Sequence, residues 1–363
     1  MKVSKLFSVG LFVFVLVFVS CQSDQPFEDT IGTWNIPEDQ IFFGGVSKDG
    51  IPSLFDPETI PASEADYLSD ENLVVGIVVD GQARAYPYAI LDWHEVVNET
   101  SPGNSLITIS YCPLTGTAIV FDGNNAGRNL TFGVSGLLFN NNLIMFDRQT
   151  DSHWPQMRLQ SDQGVLKDTR QKVIPSIETS WGTWKKLFPN SVILSTDTGH
   201  DRPYNIPGSA YPGYTNLNSK FLFPVTLNDR RLPTKQRIHG VMFGEGPDNY
   251  KTKVYLIDLA QKSRLINDVV EDNPVLVVDS GKDNFVISYL RDVNGQTLTF
   301  RLDEDVTEFP FTFKDDETSS TWNVLGEAID GPLAGMKLER TSSYNAYWFA
   351  WGAFFRRAEI HGQ

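Results

Sequence analysis

Cys112 is the residue of this chain whose type and setting are best suited to chemistry. It ends a strand-like run, and the Pro-Leu-Thr-Gly segment 113–116 that follows is typical of a tight turn between two strands. We expect the free backbone N–H groups of such a turn to lower the pKa of the thiol. Two interpretations stay open: Cys112 acts as a nucleophile or metal ligand, or it is a small hydrophobic residue of the core.

His94 and Glu95 precede Cys112 at a spacing that a β connection can close. With Cys112 they form the candidate catalytic group, in which His94 and the thiol act as a thiolate–imidazole pair. In a second interpretation, His94 and Cys112 are two of the ligands of a copper or zinc ion. A metal site needs a third protein ligand, for which His153 is the best candidate and His200 the next. The alternative for each histidine is that it has no functional role and is an ordinary surface or core residue.

Three further residues are candidates for ligand binding. Ser135 lies in a Gly-rich segment that lacks the spacing of a hydrolase nucleophile elbow and is more typical of a turn in which backbones approach closely. Arg148 has the chemistry to bind an anionic ligand or to form a structural ion pair. Tyr204, together with Tyr211 and Tyr214, belongs to a Pro- and Tyr-rich stretch that we expect to line a pocket.

The N-terminus reads as a targeting segment. Residues 1–20 combine a short basic start with an apolar run that is too short for a comfortable membrane span, and we interpret them as a signal peptide. Ser20 before Cys21 fits a lipoprotein cleavage site, with Cys21 as the lipidated residue. Phe18 departs from the usual pattern and keeps cleavage without lipidation open. We therefore expect a protein of the cell envelope, extracytoplasmic in the periplasm or at the outer membrane, and held to the membrane by its lipid anchor alone.

The chain is acidic, with 30 Lys and Arg residues against 45 Asp and Glu residues and a formal net charge of −15. Nucleic acids and anionic lipid surfaces attract positive charge, so this balance argues against both as partners. Cys21 and Cys112 are the only cysteines. If Cys21 is acylated, no disulfide can form and Cys112 remains a free thiol.

From residue 73 onward the pattern is that of strands and turns. Leu73–Val79 and Ala83–Ile90 are predicted strands, and the Asp-Gly pair between them is a strong hairpin signal. Ser180–Phe188 is predicted as a helix that carries Trp181 and Trp184 on one face and is stopped by Pro189. The predicted fold class is mainly β (β-rich α+β).

An internal repeat organises the chain. Similar motifs recur about 168 residues apart, a separation that changes little along the whole unit. The matching segments are Val97-Asn98-Glu99 with Ile266-Asn267-Asp268, Asp147-x-x-Thr150-x-x-x-Trp154 with Asp315-x-x-Thr318-x-x-x-Trp322, and Trp181-x-x-Trp184-x-x-x-Phe188 with Trp348-x-x-Trp351-x-x-x-Phe355. We predict two duplicated β lobes related by a pseudo-twofold axis, each with a short Trp-bearing helix.

The repeat sets the predicted domain boundaries. They are residues 1–20, the signal peptide; 21–70, a lipid tether and Pro-rich arm; 71–196, the first β lobe with the candidate site; 197–236, the Pro- and Tyr-rich linker; and 237–363, the second lobe. In the second lobe Gly281 stands in the place of Cys112, Ser263 in that of His94 and Arg264 in that of Glu95. This asymmetry is what an active lobe beside a degenerate structural lobe would look like.

Several separated motifs resemble one family. They are Trp93-His-Glu-Val-Val-Asn98, Tyr111-Cys-Pro-Leu114, Gly133-Val-Ser-Gly-Leu-Leu-Phe-Asn140, Asp147-Arg-Gln-Thr150 and Trp154-Pro-Gln156. Together they resemble the prokaryotic domain of unknown function 3179, a family that implies no particular activity. Many members carry a second cysteine three residues after the first, whereas this chain has Thr115 there. That difference makes a dithiol redox role or a two-thiolate metal site doubtful.

Two functional hypotheses follow. The first is a lipid-anchored binding or accessory protein that holds a small molecule or a protein partner and performs no chemistry. The second is a thiol-dependent or metal-dependent enzyme, with copper or zinc as the metal, that uses Cys112 with His94 and Glu95. The lack of a complete catalytic set favours the first, and the one-lobe asymmetry motivates the second.

Overall fold

The computed structural model describes residues 33–206, 208, 210–303, 305 and 308–363. The predicted signal peptide and Cys21 lie outside these residues. The described residues form a β-rich structure, as the sequence predicts. No helix in this part of the chain is long and apolar enough to cross a membrane.

The strands of the N-terminal half lie within residues 41–194. They are β1 (Ile41–Phe43), β2 (Leu54–Phe55), β3 (Thr59–Pro61), β4 (Leu73–Val79), β5 (Gln82–Pro87), β6 (Val96–Thr100), β7 (Leu106–Cys112), β8 (Thr117–Asp122), β9 (Asn124–Asn125), β10 (Arg128–Asn129), β11 (Phe132–Phe139), β12 (Asn142–Asp147), β13 (His153–Pro155), β14 (Val173–Ile174), β15 (Ile177–Ser180) and β16 (Val192–Leu194). Two α-helices belong to this half, α1 (Tyr88–His94) and α2 (Trp181–Leu187).

The strands of the C-terminal half begin after the linker. They are β17 (Arg237–Phe243), β18 (Lys251–Leu256), β19 (Arg264–Val270), β20 (Asn273–Ser280), β21 (Phe285–Leu290), β22 (Asp292–Val293), β23 (Gln296–Thr297), β24 (Phe300–Leu302), β25 (Thr312–Asp315), β26 (Thr321–Asn323), β27 (Ala328–Asp330), β28 (Ser343–Tyr347) and β29 (Glu359–Ile360). Helix α3 (Trp348–Phe354) directly follows β28. Short 3-10 helices cover Glu38–Gln40, Ala62–Glu64, Gln156–Arg158 and Gly281–Asp283.

The first predicted hairpin forms, but its second strand is shorter than expected. Asp80 and Gly81 both have positive φ, as the mirror-image turns favoured in hairpins require. The prediction that the returning strand runs over Ala83–Ile90 was wrong, because β5 ends at Pro87 and α1 begins at Tyr88. Proline has no N–H to donate to a ladder and is well placed directly before a helix. The resulting helix carries His94 at its last position.

One sheet in each half has the same strand order and strand directions. In the first, β15, β4, β5 and β16 are neighbours, with β16 parallel to β5 and the other pairs antiparallel. In the second, β28, β17, β18 and β29 repeat that order, again with one parallel pair. Helix α2 follows β15, and α3 follows β28.

Individual side-chain contacts also recur. The Trp154 indole N–H donates to the Asp147 carboxylate at 2.9 Å, and Trp322 donates to Asp315 at 2.9 Å. In the first half the Asn98 side chain bonds the backbone of Phe132, and in the second Asn267 does the same to Phe300. These repeated contacts support the duplication, which stays a prediction from the sequence.

Two of the hydrophobic cores each contain residues from both halves of the chain. Trp348 and Trp351 of α3 belong to the cluster that contains Cys112 of the N-terminal half. Trp181 and Trp184 of α2 belong to a second cluster built mainly from strands of the C-terminal half. All four tryptophans are fully buried, as expected for core residues. The cysteine turn is therefore packed by elements from the far end of the sequence.

Candidate functional site

Cys112 occupies the end of β7, as the sequence predicts. It pairs with Thr117 of β8 across the turn, and Gly116 takes a φ of +59° to close that turn. The thiol is buried among core residues and donates to the carbonyl oxygen of Asn141 at 3.5 Å. The hairpin thus places the sulfur inside the protein, and residues 113–116 of the turn are buried as well.

The Cys112 thiol is neutral at physiological pH. Burial raises its pKa from 9.0 to about 11, and the neighbouring Glu95 carboxyl adds to this effect. Hydrogen bonds from Thr115 and from the Leu143 backbone act in the opposite direction without offsetting burial. The turn amides therefore do not produce the lowered pKa that the sequence led us to expect.

Thr115, which replaces the second cysteine of the family pattern, is also buried and bound into a polar network. The Asn142 side chain donates to the Thr115 hydroxyl at 3.0 Å and to the Gln156 side-chain oxygen at 2.8 Å. Gln156 in turn donates to the Ser110 hydroxyl at 2.9 Å. A hydroxyl with ordered partners takes the place that a second thiol would occupy.

His94 is directed away from Cys112, toward the N-terminal arm and the linker. Its Nδ1 donates to the Pro52 carbonyl oxygen at 2.7 Å, and its Nε2 accepts a hydrogen bond from the Tyr204 hydroxyl. The ring also lies 5.1 Å from that of His200, centroid to centroid. Burial lowers the pKa of His94 to about 4, so the imidazole is neutral and both nitrogens are engaged.

Glu95 is the member of the predicted trio that lies beside Cys112. It directly follows α1 as the capping residue, in the left-handed conformation, and its carboxyl group is buried. The Tyr211 hydroxyl donates to this carboxyl at 3.4 Å. Burial raises the pKa of Glu95 from 4.5 to about 8, and the Asp92 carboxylate contributes to the increase. Glu95 therefore carries a proton over much of the neutral range.

The remaining predicted residues are engaged in contacts of their own. The His153 Nδ1 lies 2.8 Å from the Gln163 side-chain oxygen, and its ring packs against Trp34. Ser135 donates to the carbonyl oxygen of Ile144 at 2.5 Å. Within the described ranges, no group of three or more His, Cys, Asp and Glu side chains is arranged to hold a metal ion.

Arg148 forms a two-pronged ion pair with Asp49 at 2.5 and 2.8 Å and also donates to the Ser53 hydroxyl at 2.9 Å. The residues that accept these three hydrogen bonds, Asp49 and Ser53, both belong to the segment that precedes β2. This geometry matches the structural ion pair that the sequence left open as the alternative to an anion site.

A pocket of about 260 Å³ opens where the cysteine turn, the linker and the C-terminal half meet. Pro113 and Gly116 of the turn contribute to it, as do Tyr211 and Tyr214 of the linker. Tyr347, the last residue of β28, also lines it. Two of the three predicted linker tyrosines thus line a pocket, whereas Tyr204 is engaged with His94.

The pocket is rich in tyrosine and contains charged groups of both signs. Tyr88 and Tyr111 line it with ring centroids 4.1 Å apart. Asp92 accepts a hydrogen bond from the Gly208 N–H at 3.2 Å, and burial raises its pKa to about 7. Arg237 is paired with the buried Glu178 carboxylate, which neutralises its charge locally.

Lys235 is a residue of this region that sequence reasoning missed. Its side chain is buried, and its amine makes no hydrogen bond to any described residue. The amine lies over the ring of Tyr214, 3.1 Å from the centroid, with Phe349 and Tyr347 at 4.8 and 5.1 Å. Burial lowers its pKa to about 7, and the Cys112 side chain acts in the opposite direction. No local pattern marks this lysine, because its neighbours come from distant segments.

Tyr347 was missed for a different reason. It precedes α3 as Ser180 precedes α2, and Ser180 caps its helix by accepting a hydrogen bond from the Thr183 N–H. A tyrosine at the equivalent position of the second half is a departure from the repeat. The same comparison that singled out Cys112, applied to the C-terminal half, would have found it.

A protein-family model matches most of the chain. The model, described as a protein of unknown function (DUF3179), covers residues 48–358. The match confirms the resemblance carried by the separated motifs and extends it over both halves and the linker. No curated protein and no solved structure gives a significant match.

Proposed function

This chain belongs to the DUF3179 family, and we propose that it is a lipid-anchored, extracytoplasmic protein that binds a small molecule in the pocket beside the cysteine turn. The observation that carries the proposal is that distant segments of the chain form the pocket together. Separate segments of the chain, namely the turn, the linker and β28, contribute to its walls. Side chains that converge from distant segments on one concavity are typical of a ligand site.

The size and lining of the pocket limit the ligand. A volume of about 260 Å³ lies just below the range of about 300–1,000 Å³ that is usual for drug-sized ligands, so we expect a small metabolite. The tyrosine rings offer flat apolar surfaces, and their hydroxyl groups offer hydrogen bonds. Asp92 and the ion-paired Arg237 add polar groups to the lining. A compact molecule with one flat apolar face and several polar substituents fits this chemistry.

The thiol-dependent or metal-dependent enzyme is the less favoured alternative. The buried Cys112 thiol is protonated, and His94 is hydrogen-bonded at both ring nitrogens to other residues. A nucleophilic cysteine needs a thiolate, and a metal ligand needs a free nitrogen or sulfur lone pair. Neither requirement is met by this pair of residues as they stand.

Ligand binding is testable with a panel of small metabolites. Thermal shift of the purified protein identifies a binder, and titration followed by intrinsic fluorescence gives its Kd. We expect Tyr211→Ala to weaken binding at least about tenfold, the effect of removing one well-packed aromatic contact. Tyr250→Ala is the matched control, because Tyr250 is a partly buried tyrosine that does not line this pocket. Equal affinities of the two variants for the binder would refute the proposed site.

The anchor is supported by the sequence of the first 21 residues alone and has its own test. Cys21→Ala is expected to abolish incorporation of a labelled fatty acid and to release the protein from the membrane fraction. Retention of label in the variant would contradict lipidation at Cys21. The outcome of this experiment is independent of the pocket.

A further inference from the structure

Tyrosine is the most frequent residue in the lining of the pocket beside the cysteine turn. Separate segments of the chain contribute the tyrosines, which are Tyr88, Tyr111, Tyr211, Tyr214 and Tyr347. An aromatic ring carries partial negative charge on its faces, so a group of rings attracts a cation. The attraction is larger in a concavity than at an exposed site, because less water competes for the cation. Such a lining favours a positively charged ligand over a neutral one of the same shape.

Asp92 is a carboxylate of this pocket that has no cation as a partner. Its Oδ2 atom accepts a hydrogen bond from the Gly208 N–H at 3.2 Å. No Lys, Arg or His side chain among the described residues forms an ion pair with it, and its Oδ1 atom accepts no hydrogen bond from them. Burial raises its pKa to about 7, and no positive charge offsets that effect. A cationic group of a ligand would supply the missing partner.

The other charged residues near the pocket do not supply this cation. Among the described residues of the lining, Arg237 alone is cationic, and its guanidinium is paired with the Glu178 carboxylate. Lys235 lies over the Tyr214 ring and does not line the pocket, and burial lowers its pKa to about 7. Glu71 adds a second carboxylate to the lining. The pocket therefore attracts a cation and lacks a free positive charge for an anionic ligand.

The hydrogen-bonding groups of the lining favour the same class of ligand. The Tyr211 hydroxyl donates to the Glu95 carboxyl at 3.4 Å, and the Tyr214 hydroxyl donates to the Leu114 carbonyl oxygen at 2.9 Å. Because these protons are engaged, the two hydroxyls offer a ligand only their oxygen lone pairs, as the ionised Asp92 does. A protonated amine matches such acceptors, since it is a hydrogen-bond donor and carries a positive charge.

We propose that the pocket recognises a small organic ammonium ion, with its charged group against the Asp92 carboxylate and its apolar part among the tyrosine rings. This proposal rests on the proposed ligand site and names the class of its ligand. Binding is non-covalent. Asp92 determines the preference for positive charge, and the tyrosines provide most of the contact surface.

Calorimetric titration of the full-length protein with two matched probes tests the proposal. Benzylamine and benzyl alcohol share a flat apolar ring and have nearly the same size, but only the amine is positively charged. At about pH 8 the amine is still protonated, and Asp92, with its pKa of about 7, is mostly ionised. We expect benzylamine to bind at least about tenfold more tightly, because an ion pair and cation–π contacts are added. Equal affinities, or no binding of the amine at millimolar concentration, would overturn the proposal.

Asp92→Asn tests the anchoring residue. The variant keeps the side-chain shape and an oxygen that can accept from the Gly208 N–H, but it removes the charge. We expect its affinity for benzylamine to fall at least about tenfold. Asp330→Asn is the matched control, because Asp330 is exposed in β27 and does not line the pocket. Circular dichroism verifies that both variants are folded. Equal affinities of the two variants for benzylamine would overturn the role of Asp92 and the proposal with it.

The metabolite panel separates this proposal from the ligand site itself. If uncharged or anionic members of the panel bind in a manner sensitive to Tyr211→Ala while benzylamine is not preferred over benzyl alcohol, the cation proposal fails and the site stands. If neither the panel nor the two probes bind in a manner sensitive to Tyr211→Ala, the proposed site fails as well.

Discussion

The backbone N–H of Tyr347 donates a 2.8 Å hydrogen bond to the carbonyl oxygen of Thr115. This contact joins the last residue of β28 to the turn that follows Cys112. The Tyr347 ring also packs on Gly116, so a Cβ atom at that glycine would lie 2.8 Å from the ring. The C-terminal half thereby holds the cysteine turn in place and completes the pocket.

Gly116→Ala tests this relationship through stability. The φ of +59° disfavours any Cβ atom, and the Tyr347 ring leaves no room for one. We expect a loss of about 3 kcal/mol in the free energy of unfolding, measured by urea denaturation, because backbone strain and a steric clash combine.

Gly81→Ala is the matched control for that variant. Its φ is +77°, but a Cβ atom there would meet nothing within 4 Å. Only the backbone strain remains, so we expect a loss of about 1–2 kcal/mol. Equal losses at the two glycines would mean that Tyr347 does not constrain the turn.

Glu95 makes the stability of the protein depend on pH. Its pKa rises from 4.5 in the unfolded chain to about 8 in the folded chain, so the folded state holds this proton more tightly. The corresponding stabilisation is complete below about pH 4.5 and is lost as the pH rises through about 8. Between these values we expect Glu95→Gln, which cannot ionise, to show a smaller fall in Tm than the unsubstituted protein.

The exposed Glu58 provides the control for the pH experiment. Glu58→Gln removes one carboxylate without touching the buried cluster, and we expect its Tm profile to follow that of the unsubstituted protein. A Glu95→Gln profile as steep as both of these would mean that Glu95 does not bind the proton.

Local patterns were sufficient for the elements near the site. The Asp80-Gly81 hairpin, the turn after Cys112 and the helix that bears Trp181 all follow from turn chemistry and apolar spacing, and all are present. The pocket contribution of Tyr211 was also predicted, because a long Tyr-rich linker in a compact chain is usually functional.

Contacts between distant segments were beyond sequence reasoning. The burial of Lys235 depends on Tyr347 and Phe349, more than a hundred residues later in the chain. His94 illustrates the opposite error, since spacing suggested a partner in Cys112 and the helix α1 directs it to Pro52 and Tyr204. Spacing along a chain limits which residues can meet, but the packing of α1 decides which ones do.

Tyr204→Phe tests whether the His94 contact is structural. The Tyr204 hydroxyl donates to the His94 Nε2 and accepts from the Thr198 hydroxyl at 2.7 Å. Its removal leaves a buried imidazole nitrogen without a donor, and we expect a loss of about 1–3 kcal/mol in the free energy of unfolding. Tyr250→Phe, at a tyrosine whose hydroxyl makes no hydrogen bond to described residues, should change stability by less than about 0.5 kcal/mol. Similar values for both would show that the His94 contact does not stabilise the fold.

The reactivity of Cys112 distinguishes a core residue from a catalytic thiol. In a chain that lacks residues 1–20 and carries Cys21→Ser, Cys112 is the only thiol left to react. Burial and a pKa of about 11 both oppose thiolate formation, so we expect labelling by an aromatic disulfide at pH 7 to be at least about a hundredfold slower than for free cysteine. The same chain in concentrated urea should react at the rate of free cysteine. Fast labelling of the folded protein would contradict the buried, protonated thiol and would favour the thiol-dependent enzyme over the binding protein.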